Sequence, residues 1–374
     1  MSRHEVPLPT PTNPARLLEM PPARLLALRG RALRDAIAAS EGRVLAAETV
    51  AVAPPLVDGV TNGELAAAFG ADLLLVNVYD VLRPRIAGLP GWDEAGTAAP
   101  AWAMPTDEPT AAGAGSSPQR AEADAQRDEG GSATPAAGDG RSGVEPRAAS
   151  AAGPAPSSPL GPLAALARLA GRVVGINLEP SERVPPGRRA TPDNALRAVA
   201  QGAQWILLTG NPQTGVTVEG IQRAAAAIRR VLPPERLLLA AGRMHGAGAW
   251  FGQEPFLDEA AIQGLVAAGV DVVALPAPAT VPGVTVEQAR RWVGAAHAAG
   301  ALAMATVGTS QEGADEATVR HIALMSKACG FDLHHLGDAG YHGVALPENI
   351  LAYGIAIRGR RHTYRRMAMS TARA

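Results

Sequence analysis

The chain reads as a single (β/α)8 barrel, an α/β TIM barrel, and three observations predict it. Eight strand-then-helix units follow one another from Arg43 to the C-terminus. The strand segments are continuous apolar runs rather than alternating ones, as expected of parallel strands covered on both faces. Polar residues collect where those strands end, at the rim where barrels of this class carry their sites.

Residues 1–42 are expected to be a helical extension that closes the barrel bottom, with residues 43–374 as the barrel itself. Strand one is RVLAAETVAV, followed by a helix around NGELAAAFG, and strand two is ADLLLVNVY. Residues 93–160 then break the rhythm: they hold Ala, Gly, Pro, Ser, Asp, Glu and Arg with almost no large aliphatic side chains. Such a segment cannot bury enough apolar surface to offset its ordering entropy, so a disordered insertion is expected after strand two. Two units are too few for a domain of their own, which argues against a linker between domains. After LGPLAALARLAG come RVVGINLE, QWILLTG, RLLLAAGRMHG, VDVVALPA, ALAMATVGTS and FDLHHLGDAG, each preceded by a helical segment. Several helices open on Thr or Asp and close on Gly, the usual caps. A doubly wound sheet would show fewer units and often a Gly-rich turn after strand one, which is missing.

Composition bounds the partners. Of 374 residues, 47% are hydrophobic and the net charge is −1, which gives no global argument for nucleic acid or an acidic membrane. Cys329 is the single cysteine, so no intramolecular disulfide can form, in keeping with a reducing cytoplasm. The N-terminus has no long apolar run, so no signal peptide or membrane span is expected and the location expected is cytoplasmic. The tail RGRRHTYRRMAMSTARA is basic; we read it as a solvated helix end whose cations suit the helix dipole, rather than as a nucleic-acid surface. Homo-oligomerisation stays open.

At the rim, strand one supplies Glu48, strand two Asn77, strand three Asn177 and Glu179, strand four Asn211, and strand five Arg243 and His245. Residues two apart on a strand share a face, so Asn177 projects with Glu179, and Arg243 with His245. By the same rule one of His334 and His335 points into the barrel and the other toward the helices. Strand six alone ends without a polar side chain. The loops VGTSQEG and LGDAGYHG after strands seven and eight are rich in glycine. Gly308, Thr309, Ser310, Gly337 and Gly340 are therefore expected to cradle a phosphate, the position where many barrels hold one. Asn177 and Glu179 could hold magnesium or another divalent metal, and His245 with a strand-eight histidine would suit a transition metal. A Schiff base needs a lysine on a strand, and the only lysine, Lys327, falls in a helix. Cys329 beside it reads as a small core residue, and no G-x-S-x-G turn is present.

Longer stretches carry a resemblance. PPLVDGVTNGELAAAFGADLLLVN, GINLEP, LLTGNPQTGVT, AAGRMHGAG, PAPATVPG, VGTSQEG and HHLGDAGYHG resemble a bacterial TIM-barrel family. Its members are labelled phosphoenolpyruvate phosphonomutase-like or haloacid dehalogenase-like hydrolase. The likeness covers nearly all of the chain outside the N-terminus and the insertion. It implies the outline of the mutase and isocitrate-lyase superfamily, with magnesium on acidic residues at strand ends. Here Asn177 and Glu179 stand in place of paired aspartates, and no Cys- or Lys-bearing catalytic loop is visible. The D-x-D-x-[TV] motif of the hydrolase label is also missing. Arg243 stands where relatives carry Lys.

The expected function is a lyase, aldolase or isomerase acting on a small phosphorylated or carboxylated metabolite. Arg243 would hold its anionic group and His245 would be the general acid or base. Glu48, Glu179 and Asp338 complete the catalytic set, and Asn77 and Asn211 join the glycine loops in binding. The alternative is a non-catalytic barrel that binds a phosphorylated ligand in a regulatory or scaffold role.

Overall fold

The structure, a computed structural model, describes residues 15–92, 160–244 and 257–373. Residues 93–159 of the expected 93–160 insertion, and His245, lie outside the described residues. Eight strands, β1 (Val44–Val50), β2 (Leu73–Asn77), β3 (Val173–Leu178), β4 (Trp205–Leu208), β5 (Leu238–Ala241), β6 (Val272–Pro276), β7 (Leu302–Val307) and β8 (Leu333–Leu336), form one closed barrel in sequence order. All neighbours are parallel, and β8 closes on β1 with Ala46 opposite His335. Closure excludes the doubly wound sheet. Each strand is shorter than the segment expected from the sequence.

Ten helices, among the described residues, lie before, between and after the strands: α1 (Pro22–Ala27), α2 (Gly30–Ala38), α3 (Asn62–Ala68), α4 (Pro162–Ala170), α5 (Pro192–Ala200), α6 (Val218–Val231), α7 (Glu259–Ala267), α8 (Val286–Ala298), α9 (Glu316–Cys329) and α10 (Pro347–Ala368). The expected caps form. Thr61 makes a full capping box with Glu64 on α3, and Thr191, Thr217, Asp258, Thr285 and Asp315 each accept a backbone N–H of the helix they open. Gly171 and Gly330 end α4 and α9 in the left-handed conformation, which glycine adopts without a Cβ clash.

The two-residue period of each strand sorts its side chains between two cores. Outward residues such as Leu45, Leu74, Ile176 and Leu239 pack under the helices. Inward residues such as Val44, Ala46, Leu75, Leu207 and Met304 fill the barrel and merge with Leu17, Leu25, Leu33 and Ile37 of the N-terminal segment. So α1 and α2 plug the bottom, as the sequence suggests. Gly175 makes room for Trp205, whose indole sits where a Cβ on residue 175 would lie. Leu33 is fully buried, and truncating it to Ala would cost ~2–5 kcal/mol.

The bottom also holds a buried charge network. Asp72, at the foot of β2, accepts from the backbone N–H of Leu45 and from the guanidinium groups of Arg358 and Arg366. Arg366 in turn donates to the carbonyls of Leu17 and Met20, and Arg172 donates to those of Ala71, Ala67 and Arg366. Burial alone would raise the Asp72 carboxyl, yet Arg358, Arg366, the Leu45 N–H and Arg172 together outweigh it and hold the group below its ordinary value. Burial, aided by Arg366, pushes Arg172 down to about 9. This corrects the expectation of a wholly solvated basic tail: α10 breaks at Gly359, helical structure resumes, and Arg366 is 1% exposed. Only the remaining tail arginines, Arg360, Arg361, Arg365 and Arg373, face solvent.

Candidate active site

At or near the C-terminal end of six of the eight strands an inward position is polar. Below it, two layers of inward residues are apolar; at it stand Glu48 on β1, Asn77 on β2, Asn177 on β3, Thr306 on β7 and His335 on β8, with Thr209 just past β4. The backbone period of two carries these residues to the same end of the barrel that the loops occupy. There they line a cavity of ≈ 260 Å³. That is just below the ~300–1,000 Å³ usual for ligand pockets, so the volume suits a small metabolite.

One side of the cavity is acidic. His335 is 4% exposed, and its Nε2 lies 3.1 Å from Glu48 Oε2, an ion-pair distance without hydrogen-bond alignment. The other strand-eight histidine points the opposite way. His334 Nδ1 meets the Tyr353 hydroxyl on α10 at 2.9 Å and its Nε2 meets the Gly42 carbonyl at 3.2 Å. Burial pushes the His334 imidazole down to about 3, so it stays neutral. Glu312, in the loop after β7, and Asp338, after β8, join Glu48 and His335 electrostatically. Burial raises the Glu312 carboxyl, with Asp338 adding to the rise, and burial with Glu48 raises that of Asp338.

The other side is cationic and amide-rich. Arg243 lines the cavity after β5, and Arg188 arrives on the loop after β3. That loop folds back onto the strand: Glu179 N–H donates to the Arg188 carbonyl at 2.9 Å, and Ala190 N–H to the Glu179 carbonyl at 2.8 Å. The turn brings the Arg188 guanidinium onto the Glu179 carboxylate, which is 7% exposed.

Eight of the expected site residues come together here: Glu48, Asn77, Asn177, Glu179, Asn211, Arg243, Gly308 and Thr309 all line the cavity. Asp338 lies behind the lining, where its carboxylate accepts from the Asn77 amide. Asn211 also caps its own loop through Oδ1, which accepts the Gln213 N–H at 2.9 Å. Two expectations need correction. First, the strand-eight loop does not aim its N–H groups at a ligand: Gly337 N–H bonds the Val307 carbonyl at 2.7 Å and Gly340 N–H bonds Asp338 Oδ1 at 2.8 Å. Ser310 is exposed and outside the lining, so the phosphate cradle reduces to Gly308 and Thr309. Second, Asn177 and Glu179 do not suit a metal. Arg188 already neutralises Glu179, and among the described residues no three His, Cys, Asp or Glu side chains gather as a metal site would require. The magnesium implied by the family resemblance therefore lacks a fitting ligand set among these residues.

Sequence reasoning missed Arg188 and Thr280, and left open which histidine of strand eight serves the rim. Thr280 lies in the loop after β6 that looked apolar, is 4% exposed, and lines the cavity. The double histidine was the one available signal for His335. Lys327 and Cys329 fall on α9 as expected, away from the cavity; the lysine donates to the Ile357 carbonyl and the thiol is buried.

A parallel barrel with a polar cavity at its C-terminal rim is the class of protein defined by this fold and site. Residues 18–373 match the model of a domain of unknown function, DUF7916, and the chain belongs to that family. No curated protein matches. Among solved structures, thiamine phosphate pyrophosphorylase from Pyrococcus furiosus is 11% identical over 87% of this chain and 97% of its own, with a TM-score of 0.40. A putative lyase/mutase from Burkholderia cenocepacia is 20% identical over 48% of this chain, at a TM-score of 0.34. The match spans 60% of that chain's length. Likeness at this level carries no argument about the reaction. Among the described residues no helix is long and apolar enough to cross a membrane.

Proposed function

We propose that this barrel is an enzyme of the lyase or isomerase type, acting on a small anionic metabolite by proton transfer at the C-terminal rim. The observation that carries this is the placing of His335 against Glu48 on one wall of the cavity, with Arg243 and the Arg188–Glu179 pair on its other side. Arginine on that side gives an anionic group a fixed seat. His335 is then the general acid–base, the role expected of His245 from sequence. It takes a proton from the substrate, and Glu48 stabilises the imidazolium that forms. An isomerase returns that proton to a neighbouring atom; a lyase passes it to the leaving group. No step runs through a metal, since Glu179 is committed to Arg188. Mutase chemistry of the phosphoenolpyruvate kind is not the version proposed, because the strand-eight glycine loop has its N–H groups committed internally.

The test is an incubation of the full chain in D2O with a panel of small carboxylated and phosphorylated metabolites. Mass spectrometry follows deuterium entering carbon positions and any new product. The wild type should label or convert at least one compound, and His335→Gln should lose that reaction by ~10²–10⁴-fold. Binding of a panel compound with no exchange or turnover would favour the non-catalytic barrel. Equal turnover by His335→Gln would remove the histidine from the mechanism.

A further inference from the structure

The cavity specifies more than an anion. A chain of amide contacts fixes which atoms face the ligand. Asn77 Oδ1 accepts the Val78 N–H at 2.8 Å, so its amide nitrogen is the group that donates to Asp338. Oδ1 then also accepts from Asn177 Nδ2 at 3.3 Å. This sets the orientation of the Asn177 amide and leaves its Oδ1 as an acceptor, buried and without a partner. A threonine on the opposite wall, on β7, is fixed in the same sense. Thr306 Oγ1 donates to the Leu275 carbonyl at 3.0 Å, while Thr309 Oγ1 meets both the Thr280 carbonyl at 2.6 Å and the Gln311 side-chain amide at 2.7 Å and is satisfied within its own loop. A carbonyl oxygen only accepts, so the Thr306 hydrogen is committed there, and what its hydroxyl offers the cavity is lone pairs. With Glu48, the lining thus presents three acceptors to a ligand. Next to them His335, nine-tenths buried and more, has Nδ1 without a partner, and so has Glu312 at Oε2.

A ligand made only of acceptors, such as pyrophosphate or an oxo-dianion, would place oxygen against oxygen at Asn177 and Thr306. A buried polar group left unpaired in this way is costly. We infer that the ligand of this site is a small polyhydroxylated acid: one anionic end on the arginine side, and hydroxyl groups that donate to Asn177 Oδ1 and Thr306 Oγ1. The inference rests on the rim being the small-anion site proposed above, and it adds the substrate class. The anionic end could be a carboxylate or a phosphate monoester, since both seat on a guanidinium. A hydroxyl next to the reacting carbon places an O–H beside His335 and Glu48, the pair that moves protons.

The experiment is calorimetric binding to the full wild-type chain with charge-matched pairs. Gluconate is compared with hexanoate, and glycerol 3-phosphate with propyl phosphate; pyrophosphate is the acceptor-only control. At least one hydroxylated member should bind about tenfold or more tightly than its deoxy partner, and pyrophosphate should not compete. The pair that responds identifies the anionic end. Asn177→Leu should shrink the gap within the responding pair by about tenfold. Equal affinity within both pairs, or preference for pyrophosphate, overturns the inference while leaving an anion site in place. No binding by any of the five removes the anion site, and the inference with it. The wild-type comparison decides the matter even if the variant folds poorly.

Discussion

The two ends of this barrel bury polar groups in opposite ways. At the bottom, Asp72 has two arginines and a backbone N–H, and those arginines reach the carbonyls of Leu17 in the N-terminal segment and of Arg43 just before β1. At the rim, Asn177 Oδ1, Glu312 Oε2 and both ring nitrogens of His335 are buried without a hydrogen-bond partner. A satisfied network rigidifies a fold, and it clasps the N-terminal plug to the C-terminal helix here. Unsatisfied buried groups cost stability, and they persist where a ligand is the missing partner. On the function proposed above, the difference separates the Asp72 network that holds the barrel from the rim residues that meet its ligand.

The sharpest way to break this contrast is at the bottom. Asp72→Asn leaves Arg358 and Arg366 buried without their counter-ion, and should lower the stability by ~3–5 kcal/mol, read from urea unfolding. At the rim the effect should fall on activity: His335→Gln should keep its melting temperature within a few degrees of wild type while the exchange reaction disappears. If the two variants lose stability alike, the two ends do not differ. A smaller effect concerns His334, behind the rim. Its folded value near 3 lies below its ordinary 6.5, so the unfolded chain takes up a proton first as pH falls. Its contribution is complete above about pH 6.5 and drains away toward pH 3, by about 1 kcal/mol per pH unit. His334→Phe loses the Tyr353 contact, so it should be less stable than wild type at pH 7, and the gap should narrow by pH 4.5. A constant gap would show that burial does not hold the imidazole neutral. The smallest effect belongs to the exposed part of the tail: Arg360→Ala and Arg361→Ala should each change stability by less than ~0.5 kcal/mol.

The barrel was legible because its signal is local. Continuous runs such as LLLV and WILL between capped helices need no knowledge of partners. The rim was legible for the same reason: a polar residue ending an apolar strand stands out, as Glu48, Asn77 and Asn177 do. What escaped depends on distance along the chain or on direction. Asp72 meets Arg366 across 294 residues, so the tail arginines looked merely solvated. Arg188 reaches the site by a fold-back of a Pro-containing loop that no periodicity describes. The glycines of the strand-eight loop looked like a phosphate cradle, because composition does not say which way an N–H points. His334 and His335 followed the alternation rule, yet only the register of β8 against β1 and β7 says which of them faces the cavity.

The most direct test of the contrast is the thermal unfolding midpoint of Asn177→Leu without ligand. The substitution removes an acceptor that has no partner and adds apolar surface of similar size, while Asn77 Oδ1 keeps its bond to Val78. The account predicts a midpoint equal to or above that of wild type. A fall of the size produced by Asp72→Asn would contradict it, and would place Asn177 among the residues that hold the barrel together.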